Sequence, residues 1–211
     1  MIVDLFPSQV YVNRVVQHDM IKGLTLDYVE KEYEKDPSTF VDKWDSNVFT
    51  TYGKNDNFPW DKIIPRYKQT FDEIKELYGI EGMAHVREAW FNGYKEDQYQ
   101  EIHDHIPNQF SCIHLLSYDE TEHLPPIFLS PFRQVSVTNS PEFISKDPKD
   151  KPPTWAYQSS VSAKEGDIII FPSYLEHKVP RQSSSKLRVT ISFNLNFVNY
   201  ENFRSQLSPR F

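Results

Sequence analysis

Residues 166–198 read GDIIIFPSYLEHKVPRQSSSKLRVTISFNLNFV, and they contain two strands of different kinds. Asp167–Phe171 is a short isoleucine-rich run closed by Pro172, the pattern of a strand buried on both faces. From Arg188 onward the pattern alternates. Arg188, Thr190, Ser192 and Asn194 fall on one face of a strand, and Val189, Ile191, Phe193 and Leu195 on the other. The apolar set must pack against something, for which N-terminal helices are available, and the polar set then lines an interior. Working outward, HVREAWFN (85–92), QYQEIHDH (98–105), FSCIHLLSY (110–118), PPIFLS (125–130), AYQSSVSA (156–163) and EHKVP (176–180) read as further short strands. They are separated by Pro, Gly, Asn, Asp and Ser. Roughly eight strands at such spacing predict a sandwich or barrel.

The N-terminal part is different in character. Ile64, Tyr67, Phe71, Ile74 and Tyr78 repeat at spacings of three and four, an amphipathic helix with Asp61 placed to cap it. Pro65 fits only its first turn, and Gly79 ends it. Leu26, Val29 and Tyr33 suggest one or two short helical pieces within 17–36, and 45–60 reads as a loop with a short β segment. The opening strand, IVDLFPSQVYV, is broken by Pro7 and belongs at a sheet edge. Helices first and strands afterwards give a mostly β, α+β fold: a jelly roll with N-terminal helices packed on one sheet. One domain over 1–211 is expected, with a strand and helices in 1–80, the jelly-roll core in 84–198 and a tail in 199–211. Residues 139–155 form a long loop rich in proline and charge, a candidate for gripping a substrate.

Composition limits the partners. A net charge of −7 argues against a nucleic-acid-binding surface. The single cysteine, Cys112, excludes an intramolecular disulfide framework and a Cys-based zinc site. No signal-peptide pattern opens the chain, and its longest apolar run is far short of the ~20 residues that span a bilayer. The expectation is a soluble, cytoplasmic protein without nucleic-acid or membrane partners, with a homodimer as the base-rate assembly.

Seven histidines are present, and three have suggestive settings. On a strand His103 and His105 share a face while Asp104 points away, so two imidazoles can grip an ion from one side. Asp104 reaches that ion only if the strand bulges. His177, after the turn at Pro172, is the best third ligand. His18, His85, His114 and His123 lack a partner at comparable spacing. An arginine inside a small barrel is costly unless it meets an anion, and Arg188 suits a carboxylate bidentately, with Thr190 beside it. A surface pairing of Arg188 with Glu165 or Asp167 is the plain alternative.

The order H-x-[DH], then His, then Arg about ten residues later resembles the iron(II)/2-oxoglutarate-dependent oxygenases. It is most similar to a small branch of them found in bacteria and phages. The likeness includes DLFPSQVY, FTTYGK, a W-x-N strand (Trp90, Asn92), the H-x-H strand, and GDIIIFPSYLEHKV with RVTISFN. It implies a double-stranded β-helix in which His103, His105 and His177 ligate Fe(II). Arg188 then binds the distal carboxylate of 2-oxoglutarate, supported by Thr190. His114, and more weakly Ser111 and Asn92, become further cosubstrate contacts. Histidine at 105 departs from the carboxylate usual in the superfamily, and three neutral imidazoles also suit zinc. Cys112 and His114 replace a glycine and a tyrosine of the relatives.

The implied reaction couples oxidative decarboxylation of 2-oxoglutarate by O2 to hydroxylation of a C–H bond. The substrate is a protein side chain, proline-type first, or a small molecule. No catalytic residue beyond the metal ligands is expected. Two rivals follow from the same residues: a cupin-like metalloprotein that does not use 2-oxoglutarate, and a non-catalytic jelly roll that mediates protein contacts.

Overall fold

The apolar face of Arg188–Val198 determines what lies on either side of it. In the computed structural model, which describes residues 8–38, 45–54, 58–131 and 158–199, that strand sits inside a six-stranded sheet. The described elements in chain order are β1 (Tyr11–Arg14), α1 (His18–Lys35), β2 (Phe49–Thr50), α2 (Trp60–Ile63), a 3-10 turn (Ile64–Tyr67) and α3 (Lys68–Tyr78). They continue with β3 (Met83–Tyr94), β4 (Gln100–His103), β5 (Phe110–Ser117), β6 (Ile127–Leu129), β7 (Gln158–Ser160), β8 (Asp167–Pro172), β9 (His177–Val179) and β10 (Arg188–Val198). The larger sheet has the order β1-β8-β5-β10-β3-β2 and the smaller β4-β9-β6-β7. Every named pairing is antiparallel, so two sheets face one another as a jelly roll, the double-stranded β-helix.

Val189, Ile191, Phe193 and Leu195 pack with Ile21, Val29, Tyr33, Tyr67, Phe71 and Ile74, so the helices cover the outer face of the larger sheet. Each large apolar side chain buried there contributes on the order of 1.5–3 kcal/mol. That face is committed to the core, and the polar face of β10 is turned toward the smaller sheet. β1 is an edge strand, as Pro7 suggests, although Pro7 itself, the 139–155 loop and residues 200–211 of the tail lie outside the described residues.

Three local expectations are corrected. Within residues 17–36 the chain forms one 18-residue helix, His18–Lys35, not short pieces; its buried face is His18, Ile21, Thr25, Val29 and Tyr33 at spacings of three and four. The second helical stretch is split, because Pro65 cannot supply an internal N–H and the chain passes through a 3-10 turn at Ile64–Tyr67. Asp61 therefore lies in the first turn of α2, and Pro59 holds the cap position. Gly79 does end α3, at φ 61°, the left-handed conformation that glycine adopts without a side-chain clash.

Candidate metal and carboxylate site

The pairing of β4 with β9 sets His103 directly opposite His177. Cross-strand neighbours on one face are close enough to share a ligand, and the two ring centroids are 4.2 Å apart. His105 lies two residues beyond the end of β4, outside the regular strand. Its ring nevertheless stands 5.0 Å from His103 and 5.3 Å from His177 by centroid. The loop holds it there by backbone bonds. His105 N–H donates to Ser173 O at 3.0 Å, while His105 O accepts from Asn108 N at 3.0 Å and Asn108 Nδ2 at 2.9 Å. One ligand nitrogen from each of the three histidines falls within 4.8 Å of the others. Asp104 is exposed, and its Oδ1 accepts the Ile106 N–H at 3.1 Å, turned away from the cluster.

The imidazoles are prepared as neutral donors. His103 Nδ1 donates to Glu101 O at 2.8 Å and His177 Nδ1 to Leu175 O at 3.2 Å, which leaves each Nε2 lone pair unused by the described residues. Burial lowers the pKa of all three: His103 is lowered, His105 to about 4 with the His103 charge adding to burial, and His177 well below the usual range. Three neutral nitrogens with no carboxylate in the cluster fit a divalent transition metal and leave its charge undiminished.

Arg188 occupies the same interior with 0% of its surface exposed. Its guanidinium carbon stands 4.9 Å from the Tyr94 ring centroid and 5.8 Å from that of Tyr118. No nitrogen of the guanidinium has a hydrogen-bond partner of ordinary geometry among the described residues. Glu165 is engaged by Lys22 at 2.6 Å, and Asp167 accepts the Lys164 N–H at 2.9 Å, so neither is the partner of Arg188. Burial lowers the Arg188 pKa, opposed first by Tyr94. A guanidinium buried in this way offers planar N–H donors in the fork geometry that suits a carboxylate. Thr190, buried and on the same face, adds a hydroxyl beside it.

His114 is a correction. Tyr67 Oη lies 2.8 Å from His114 Nδ1, and His18 Nδ1 lies 3.0 Å from His114 Nε2. Both ring nitrogens are thus taken by residues of the helical layer, on the face of β5 away from the histidine cluster, and none is left for a cosubstrate. Ser111 does line the cavity, but its hydroxyl bonds Ser173 Oγ at 2.8 Å. Asn92 is positional: its Nδ2 donates to Thr50 Oγ1 at 2.8 Å and its Oδ1 accepts from Trp90 Nε1 at 3.1 Å. His123 bridges Asp119 N–H and Lys186 O, a satisfied structural histidine.

Sequence reasoning missed Tyr94, Gln100 and Tyr118. Tyr94 donates to Gln100 Oε1 at 2.8 Å while lying under Arg188. Trp90, Asn92 and Tyr94 do share a period of two, but only the β3–β10 register, Tyr94 opposite Arg188, shows whom they meet.

The comparisons with known proteins agree with this geometry. No curated protein matches the sequence at a significant level. Among solved structures, a Pseudomonas putida prolyl-4-hydroxylase aligns at TM-score 0.56 and 9% identity, over 91% of this chain and 94% of that one. A viral collagen prolyl hydroxylase of Paramecium bursaria Chlorella virus-1, in complex with 2-oxoglutarate, aligns at TM-score 0.52 and 11% identity, over 90% and 96%. HygX from Streptomyces hygroscopicus, with nickel and 2-oxoglutarate bound, gives TM-score 0.58 and 11% identity, over 90% and 83%. At such identities these likenesses establish the fold. A family model described as "Putative 2OG-Fe(II) oxygenase" matches residues 88–194, from the middle of β3 to the middle of β10 and just over half of the chain. The chain belongs to this family, the 2-oxoglutarate- and Fe(II)-dependent oxygenases, which take Fe(II) as cofactor and 2-oxoglutarate and O2 as cosubstrates.

Proposed function

We propose that this oxygenase hydroxylates a C–H bond of a protein side chain, proline-type first, or of a small molecule. His103, His105 and His177 hold the Fe(II), and Arg188 with Thr190 holds the distal carboxylate of 2-oxoglutarate. The observation that carries the reading is a three-histidine cluster sharing one cavity with a fully buried guanidinium that has no hydrogen-bond partner among the described residues. Two prolyl hydroxylases among the structures of like fold make a peptidyl substrate the first to try.

When bound, the iron supplies the oxidant, formed from O2 as 2-oxoglutarate is decarboxylated to succinate. The chain supplies position and environment. Glu101 O and Leu175 O fix the tautomers of His103 and His177, so their Nε2 atoms face inward. Arg188 orients the cosubstrate by its far end, and the aromatic walls of Tyr94 and Tyr118 keep water from that carboxylate. Burial of the histidines keeps them unprotonated at neutral pH, so metal does not compete with protons.

Anaerobic titration of the purified chain with Fe(II), then 2-oxoglutarate, tests this. The expected result is the weak visible charge-transfer band of the chelate, retained Fe(II) binding in Arg188→Ala, and loss of the band in that variant. Bound iron with no band at any 2-oxoglutarate concentration would sink the reading.

A further inference from the structure

Beyond the histidine cluster the interior has one more polar layer. Along β3 and β10 the opposed pairs are Arg188 with Tyr94, Thr190 with Asn92, Ser192 with Trp90, and Asn194 with Glu88. Exposure rises along this series on β3: Tyr94 is 1% exposed, Asn92 4%, Trp90 6%, and Glu88 is open to solvent. The guanidinium therefore marks the closed end and Glu88 the mouth. Trp90 stands between them, its ring 5.6 Å from that of His105. Glu88 is one same-face step further out, about 7 Å along the strand.

The chemistry of this layer is one-sided. Asn194 Nδ2 donates to Glu88 Oε2 at 3.2 Å, so the amide cannot be turned over without setting its oxygen against a carboxylate. That leaves Asn194 Oδ1, on a side chain 2% exposed, with no partner among the described residues. The Trp90 N–H is already given to Asn92, so the indole offers its π face and no donor. Tyr52 packs edge-on against Trp90 at 4.9 Å. Burial first and the Glu88 charge second raise the Tyr52 pKa, with Arg87 opposing, which puts Glu88 within electrostatic reach of that ring. Arg87 itself is exposed and belongs to the opposite face of β3 by alternation. Two acceptors, one of them charged, beside two aromatic rings match a group that is both cationic and rich in N–H.

We propose that Glu88, Asn194, Trp90 and Tyr52 form the substrate-selecting rim of the site, and that the substrate carries an ammonium or guanidinium group beside the C–H bond to be oxidised. Glu88 pairs with the cation, Asn194 Oδ1 accepts one of its N–H groups, and the two rings flank it. Glu88 is a specificity residue and takes no part in the oxidation. This deepens the oxygenase reading, rests on it for the direction in which substrate enters, and narrows its substrate from a peptidyl proline, whose ring nitrogen is a neutral amide, to a cationic side chain or small molecule.

The test uses the full chain with Zn(II) and 2-oxoglutarate, a diamagnetic stand-in for the iron complex. The readout is the 15N–1H resonance of the Trp90 indole, assigned by its loss in Trp90→Phe. The probes are n-butylguanidinium, n-butylammonium and the neutral isostere n-butylurea. Both cations are expected to shift the resonance saturably and n-butylurea not to. Glu88→Gln should weaken the cations about tenfold, and added salt should weaken them in the unaltered chain. Glu88→Lys should abolish binding, while Zn(II) and 2-oxoglutarate affinities, read by calorimetry, stay unchanged in both variants. Equal binding of n-butylurea, indifference to Glu88→Gln, or no shift with any probe overturns the proposal. Cation selectivity in a chain that binds no 2-oxoglutarate would support the rim and instead remove the oxygenase assignment of Arg188.

Discussion

Asp104 and His105 compete for one role, and their surroundings separate them. The Asp104 carboxylate caps the Ile106 N–H in solvent, whereas His105 sits in the cluster with its backbone pinned on both sides by Ser173 and Asn108. Asp104→Asn should therefore leave Co(II) affinity within about twofold, since the side chain contributes only a turn hydrogen bond. His105→Ala should weaken Co(II) by more than about a hundredfold, beyond the effect of losing a supporting group. The visible spectrum of the Co(II) complex measures both, and the reverse ranking would make Asp104 the ligand. Alternation on a strand selects the same histidine from sequence, yet β4 stops at His103. The His105 ring still reaches the other two because its loop is held by Ser173 and Asn108, and Asn108 by Asn196 at 3.1 Å, contacts that no local pattern shows.

At the scale of elements, β5 shows where sequence reading fails. Its residues are nearly all buried, so alternation separates Ser111, Ile113 and Leu115 from Cys112, His114 and Leu116 without saying which set faces the cavity. The answer depends on α1 and the 3-10 turn, which bring His18 and Tyr67 to His114. If Tyr67 donates to His114 Nδ1, the His114 Nε2–H donates to His18 Nδ1, and His18 Nε2 is left 3.7 Å from Glu165. This chain of bonds ties both helical segments to the sheet through a neutral His114. Burial, then the His18 charge, lower the His114 pKa to about 3, and burial lowers that of His18. A histidine depressed in the folded state stabilises fully above its unfolded pKa, about 6.5, and loses that contribution as pH falls toward the folded value. His114→Gln should therefore flatten the acid limb of stability by about 1.4 kcal/mol per pH unit below pH ~6.5. Urea unfolding of the metal-free chain from pH 7 to 4 measures it. An unchanged slope would mean that His114 is already protonated in the fold.

For the whole molecule, strand number, fold class and the helical cover of one sheet are legible because they follow from periodicities carried by each segment. Strand order is not: β1 beside β8, β5 beside β10 and β4 beside β9 are long-range choices. The site is built by such choices, since β4 beside β9 sets His103 against His177 and β3 beside β10 sets Arg188 against Tyr94. The same architecture fixes the energetics of loading. Arg188 is buried with no hydrogen-bond acceptor among the described residues, so ligands that bind only the folded state should stabilise it strongly. A ligand at a hundred times its Kd adds about 2.7 kcal/mol, or about 5–10 °C in Tm for a domain of this size. Zn(II), and then 2-oxoglutarate on the Zn(II) form, should each raise the melting temperature in scanning fluorimetry, and a chelator should reverse both steps. No helix among the described residues is long and apolar enough to cross a membrane. Arg188→Met should abolish the 2-oxoglutarate step, keep the Zn(II) step, and melt no lower than the unaltered chain when metal-free, because it removes an uncompensated buried charge at similar volume. An equal 2-oxoglutarate step in Arg188→Met would place the carboxylate elsewhere in the barrel. A metal-free melt several degrees lower would mean that the rings of Tyr94 and Tyr118 alone stabilise the guanidinium, which then serves the fold before it serves the cosubstrate.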